Sequence, residues 1–123
     1  MILVDTSVWV DHFKRSIAAI DDLGRRGRIL GHPFITGELA VGHLRHRSDA
    51  IGALRRLLQA KIASEDEFLT LISSERLAAT GLGFVDVHLL ASCRITPGVQ
   101  LWSRDKRLAE FANQLGVSWI EDA

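Results

Sequence analysis

Three large apolar side chains, Ile2-Leu3-Val4, follow Met1 and stop at Asp5-Thr6-Ser7. A short apolar run bounded by polar cap residues reads as a fully buried strand. Asp5 stands at its C-terminal end, and Thr6 or Ser7 can cap the next helix. That helix is marked by Val8, Trp9, His12 and Phe13 and ends near Lys14-Arg15. Ser16 is placed to cap a second helix, with Ile17, Ala18 and Ile20 on its apolar side and Gly24 and Gly27 about its end. Arg28-Ile29-Leu30 reads as a second strand and Pro33-Phe34-Ile35 as a short extended piece. Thr36 is the expected N-cap of a helix with Glu38 in its first turn. Its buried side is Leu39, Ala40 and Leu44, and it is expected to run to His43-Leu44-Arg45-His46-Arg47. A further helix after Ser48 has Ile51, Leu54, Leu57 and Leu58 on one face.

The second half follows the same alternation. Lys61-Ile62-Ala63 suggests a brief extended segment, and Ser64 with Glu67 forms a capping box. The helix behind it carries Phe68, Leu71, Ile72, Leu77 and Ala78, and Gly81 and Gly83 stop it. Asp86 opens an apolar helix of Val87, Leu89, Leu90, Ala91 and Ile95, closed by a turn at Thr96-Pro97-Gly98. Val99 to Trp102 reads as a buried strand, and residues 106 to 115 as a helix with Leu108, Phe111, Ala112 and Leu115 inward. Gly116 ends that helix, Val117 to Ile120 is a last strand, and Glu121-Asp122-Ala123 a short exposed tail. Strands alternating with helices imply parallel βαβ units. The expectation is one α/β domain over residues 1–123, three layers deep, with a short, mainly parallel central sheet.

Composition narrows the class. Of 123 residues, 47% are hydrophobic and 24% charged, as in ordinary globular domains. Fifteen basic residues balance fifteen acidic ones, so contact with nucleic acid requires a local patch rather than a polycation. Zero net charge also favours association with a partner or a second copy. The single cysteine, Cys93, lies in an apolar helical pattern, which excludes an internal disulfide and fits a reducing compartment. The first apolar run breaks at Asp5 without a basic leader, and no stretch nears the roughly 18 apolar residues of a membrane span. A cytoplasmic protein is expected.

Four acids stand apart from the rest. Asp5 and Asp105 fall just after strand-like runs, whereas Glu38 and Asp86 fall at helix starts. In a parallel sheet, strand C-termini and the following helix N-termini share one edge, where ligands bind. Each acid alone also reads as a helix cap. Glu65, Asp66 and Glu67 belong to the capping box, and Asp21, Asp22 and Glu110 look like solvated helix faces. Together, four converging carboxylates would repel one another unless a cation sat among them. An all-oxygen set suits Mg²⁺ or Mn²⁺, ions that serve phosphoryl chemistry.

Four segments in order resemble the PIN-domain family, and within it the small VapC-type toxins of bacterial toxin–antitoxin pairs. They are Leu-Val-Asp5-Thr-Ser, Glu38, Gly-Phe-Val-Asp86 and Leu-Trp-Ser-Arg-Asp105-Lys-Arg-Leu, and they span essentially the whole chain. The resemblance implies a Mg²⁺- or Mn²⁺-dependent endoribonuclease that hydrolyses RNA with activated water. It maps the family's acids onto Asp5, Glu38, Asp86 and Asp105 as metal ligands and catalytic residues, with Ser103 as its hydroxyl. It further implies a homodimer silenced by a cognate VapB-type antitoxin. His88 is a mild departure, standing where relatives often carry a small or apolar residue.

On this reading Asp5 is the central ligand, and Thr6 or Ser103 orients a carboxylate or the water. Arg45, Arg47, Arg104 and Arg107 are candidate phosphate contacts, with Arg55, Arg56 and Lys106 beside them. His43 and His46, at i and i+3, form a weaker candidate metal pair. Trp9, Trp102 and Trp119 lie in apolar runs and are expected in the core. Three other functions compete: a phosphotransferase using Asp5 as nucleophile, a PIN nuclease of RNA processing, and a non-catalytic binding module.

Overall fold

In the computed structural model, which describes residues 1–121, Ile2–Val4 form strand β1, and Leu3 and Val4 have no solvent exposure. β1 pairs in parallel with β2 (Ile29–Gly31) on one side and β4 (Gln100–Trp102) on the other. A two-residue strand β3 (Leu58–Gln59) adds beyond β2, so the order is β3-β2-β1-β4. A central strand covered on both faces must be apolar throughout, which is why β1 shows no alternation.

Seven helices connect and cover the strands among the described residues. They are α1 (Thr6–Lys14), α2 (Ala18–Arg25), α3 (Pro33–Val41), α4 (Arg47–Arg56), α5 (Glu65–Ser74), α6 (Phe84–Ile95) and α7 (Lys106–Gln114). α3 packs on both α1 and α4, and α5 packs on α6. Parallel connections are right-handed, so successive crossovers running in opposite directions cover opposite faces of the sheet. The result is the expected three-layer α/β/α architecture.

Several local expectations are corrected. Pro33-Phe34-Ile35 is not extended but the first turn of α3, because proline's fixed φ suits a first helical position. The N-cap is therefore His32 rather than Thr36, and Glu38 lies beyond the first turn. α3 ends at Val41, so His43 and His46 sit in a loop rather than one turn apart on a helix, and His46 is left-handed at φ 50°. The second helix is capped at Ile17, not Ser16, and the Ile17 amide donates to His12 Nδ1 at 3.0 Å. Asp5, not Thr6 or Ser7, caps α1. α5 stops at Ser74, before Leu77 and Ala78 and well before the two glycines. The extended segment falls at Leu58–Gln59 instead of residues 61–63, and Leu58 is exposed there. Val117 to Ile120 contributes one parallel bridge, Leu101 to Ser118, rather than a strand. Trp119 is half-buried, packed on the buried Trp102 at 4.6 Å between ring centroids. Of the expected tail, Glu121 is half-buried and paired with Arg104, while Asp122 and Ala123 lie outside the described residues.

Gly31 records how closely α4 approaches the sheet. A Cβ there would stand 2.6 Å from Gln59 Nε2 and 3.2 Å from the Leu54 carbonyl. The capping box formed as read: Glu67 N donates to Ser64 Oγ at 3.1 Å, and Ser64 N to Glu67 Oε1 at 2.9 Å.

His32 is fully buried and was not singled out by the sequence. Its Nδ1 accepts the Phe34 amide at 3.1 Å, so the proton of the neutral ring lies on Nε2, 3.1 Å from Ser92 Oγ. Burial, with the neighbouring His88 adding to it, lowers its pKa to about 4. The unfolded imidazole takes a proton near pH 6.5, the folded one only near 4. Between these values the unfolded chain binds more protons, so the contribution is complete above pH 6.5 and is lost as pH falls toward 4. The size is about 3 kcal/mol at most, from roughly 1.4 kcal/mol per pKa unit. Urea midpoints should fall across this window in the wild type and fall less in His32→Asn, which keeps a capping acceptor but cannot titrate. Equal slopes would refute the assignment.

Candidate active site

Three chain segments meet at the C-terminal edge of the sheet. β1 delivers Asp5, β4 delivers Ser103 and Asp105, and the start of α6 delivers Asp86. Asp5 is 5% exposed, and its carboxylate is held by two hydroxyls. Ser7 Oγ donates to Oδ2 at 2.6 Å and Ser103 Oγ donates to the same oxygen at 2.8 Å. Ser103 Oγ also accepts the Asp105 amide at 3.0 Å, and Ser7 Oγ the Arg104 amide at 2.9 Å. These two serines thus tie the end of β1 to the end of β4. Ser7 was read only as a possible cap. Its tie to β4 was invisible because its partner there, the Arg104 amide, lies nearly a hundred residues away in the chain.

Glu38 reaches the same region from α3, where Thr6 Oγ1 donates to its Oε1 at 2.7 Å. Asp86 Oδ2 accepts the Gly83 amide at 2.9 Å, and Asp105 Oδ1 accepts the Leu108 amide at 3.0 Å. Burial raises the Asp86 pKa above the usual carboxylate value, and the negative charges of Asp5 and Asp105 push it the same way, against the Gly83 amide. Each acid is therefore a cap or is hydrogen-bonded locally. Each spends one oxygen in this way, and among the described residues no hydrogen bond reaches the other: Asp5 Oδ1, Glu38 Oε2, Asp86 Oδ1 and Asp105 Oδ2.

Among the described residues, no three His, Cys, Asp or Glu side chains are drawn together tightly enough to hold a metal ion as they stand. Like charges without a counter-ion separate, and caps give each carboxylate a local place to rest. The four acidic side chains offer only oxygen atoms, with no thiolate or imidazole among them, a chemistry that fits a hard divalent ion such as Mg²⁺ or Mn²⁺.

Residues 2–114 match the PIN domain family. The chain belongs to the PIN-domain family. It is also 38% identical over 122 residues to "Ribonuclease VapC32" of Mycobacterium tuberculosis, in strains CDC 1551 / Oshkosh and ATCC 25618 / H37Rv. The match covers 99% of this chain and 98% of that relative.

The basic residues around this PIN domain's acidic edge differ in availability. Arg104 is committed: it donates to Asp11 at 3.1 Å and twice to Glu121 at 2.9 Å, and the Asp11 bond leads in raising its pKa. Arg47 donates to the backbone carbonyls of Ala40 and Gly42, closing the end of α3. Arg107 lies across Gly81, where any Cβ would collide with its guanidinium. Arg45 is exposed beside Glu38 and Thr6.

His88 points neither into the acidic edge nor to solvent. It is buried in an aromatic cluster, stacked on Phe68 at 4.3 Å and edge-on to Phe34 at 4.9 Å. Burial lowers its pKa, and its Nδ1 has no hydrogen-bond partner among the described residues. Cys93 is buried, with its thiol pushed up to about 12, and so offers no nucleophile.

Proposed function

We propose that this PIN domain is the ribonuclease toxin of a VapBC-type toxin–antitoxin pair, an endoribonuclease that uses Mg²⁺ or Mn²⁺. The observation that carries the reading is the gathering of like charge: Asp86 feels Asp5 and Asp105, and Glu38 is joined to Asp5's neighbour Thr6. The likeness to a relative named ribonuclease VapC32 supports the activity and the antitoxin partner. Asp5, Glu38, Asp86 and Asp105 would hold the ion through the four oxygens left free of local bonds. When bound, a divalent ion polarises the phosphodiester and strengthens water as a nucleophile.

The chain's own groups supply position. Ser7 and Ser103 hold Asp5 Oδ2 and thereby aim Oδ1. Thr6 holds Glu38 in the same manner. Such hydroxyls act by fixing the direction of a carboxylate. Arg45 and Arg107 are the phosphate contacts this reading favours, since Arg47 and Arg104 have internal partners. A homodimer belongs to the same reading, with the exposed Leu58 and Phe84 as candidates for its contact surface. No helix among the described residues is long and apolar enough to cross a membrane.

Purified protein incubated with total cellular RNA should cleave it with millimolar Mg²⁺ or Mn²⁺ and stop on chelation. The same ions should raise the melting temperature, because a ligand of the native state alone stabilises it. At a hundred times Kd the gain is about 2.7 kcal/mol. Cleavage that survives chelation would remove the metal from the proposal, and absence of cleavage under all these conditions would remove the nuclease.

A further inference from the structure

A cavity of about 520 Å³ opens directly beside Glu38, within the size range of small-ligand sites. Thr6, Val10, Phe13 and Lys14 lie at i, i+4, i+7 and i+8 on one face of α1 and form one wall. The opposite wall comes from α3 and the loop after it, through Leu39, Leu44 and Arg45. The lining is mostly apolar, yet two cations border it. Neither Lys14 nor Arg45 pairs with a carboxylate within salt-bridge distance among the described residues. Phe13 stacks on Trp9 at 5.7 Å between ring centroids and 22° between planes, which fixes its ring.

We propose that this cavity is a subsite for one nucleotide of the RNA, adjacent to the phosphate that is cut. The base lies against Val10, Phe13 and Leu44, and its phosphate meets Lys14 and Arg45. The assignment rests on the nuclease reading, because Thr6 and Glu38 belong both to the acidic edge and to the cavity's rim. An apolar wall beside two cations without a carboxylate partner among the described residues matches a nucleotide's own division into flat base and charged phosphate. Its volume of about 520 Å³ has room for one nucleotide.

The test is the affinity of a fluorescein-labelled twelve-nucleotide single-stranded RNA for Asp5→Asn protein, read by anisotropy against salt in Mg²⁺. Val10→Trp fills the cavity and should weaken binding about ten-fold, the scale of one lost stacked base. Lys14→Ala with Arg45→Ala should weaken it similarly and flatten the log–log salt slope by about 1.4, two phosphates' worth for a single strand. These two cations are surface residues, so the pair reports even if the tryptophan perturbs folding. With Asp5 intact, the same changes should raise KM more than they lower kcat. Unchanged affinity and salt slope in both variants, with cleavage by the parent intact, would overturn the subsite and leave the nuclease standing. Failure of the parent to cleave RNA would overturn both. Unchanged RNA affinity beside a lost complex with the co-expressed cognate antitoxin would assign the cavity to a protein segment and equally overturn the proposal.

Discussion

Asp5→Asn should abolish most RNA cleavage, by at least about 10²-fold, and should leave the fold intact. The reason lies in where its two oxygens point. Ser7 and Ser103 both donate to Oδ2. An asparagine must turn its carbonyl oxygen toward these hydroxyls, which places its NH₂ where Oδ1 stood. That group is a donor and no ligand for a cation. The loss of one negative charge also relieves Asp86, so its pKa should drop toward the ordinary value. The melting temperature without metal should therefore hold or rise slightly, and the stabilisation by Mg²⁺ should vanish. Ser103→Ala should cost about 10–100-fold in the same assay, as expected when a ligand loses the group that orients it. Steady-state cleavage together with circular dichroism checks both variants. Activity of Asp5→Asn within two-fold of the parent would end the proposal.

Leu3→Ala should be the most destabilising single truncation of the central strand, at about 3–5 kcal/mol. Leu3 has no exposed surface and is paired through its backbone to Leu30 on one side and Leu101 on the other. Its neighbours belong to a sheet held from both edges, so the hole cannot collapse, and the cavity adds to the lost transfer energy. Domains of this size have only about 5–15 kcal/mol in total, so the midpoint of thermal unfolding should fall by roughly 10–20 °C. Urea unfolding should show a lower midpoint with an unchanged slope. Val41→Ala is the control, since Val41 is 89% exposed and should move stability by less than about 0.5 kcal/mol. A loss under 1 kcal/mol for Leu3→Ala would mean the sheet's centre repacks freely.

The two variants probe the same three-residue strand from different sides. Buried apolar residues hold β1 between its neighbours, and the rigid end so made presents Asp5. Stability and chemistry are thus coupled at one peptide bond, between Val4 and Asp5.

What the amino-acid order determined by itself was local and periodic. The apolar runs of β1 and β4, the Ser64–Glu67 box, the face of α7 and the positions of Asp5, Asp86 and Asp105 beside a strand end or helix start follow from side chains within a few residues of one another. Such features form from neighbours in sequence and leave a period or a cap pattern behind. Only the tertiary structure decided the rest. Leu58–Gln59 is too short to carry a period and is a strand because β2 lies beside it. His32 carries no apolar signal and is buried because Ser92 of another helix meets its Nε2. Ser7 reaches the end of β4 through the Arg104 amide, and the Arg104 guanidinium is engaged by Asp11 and Glu121. Each of these depends on residues brought close only by the parallel crossovers, and chain entropy leaves no trace of such pairs in the order of residues.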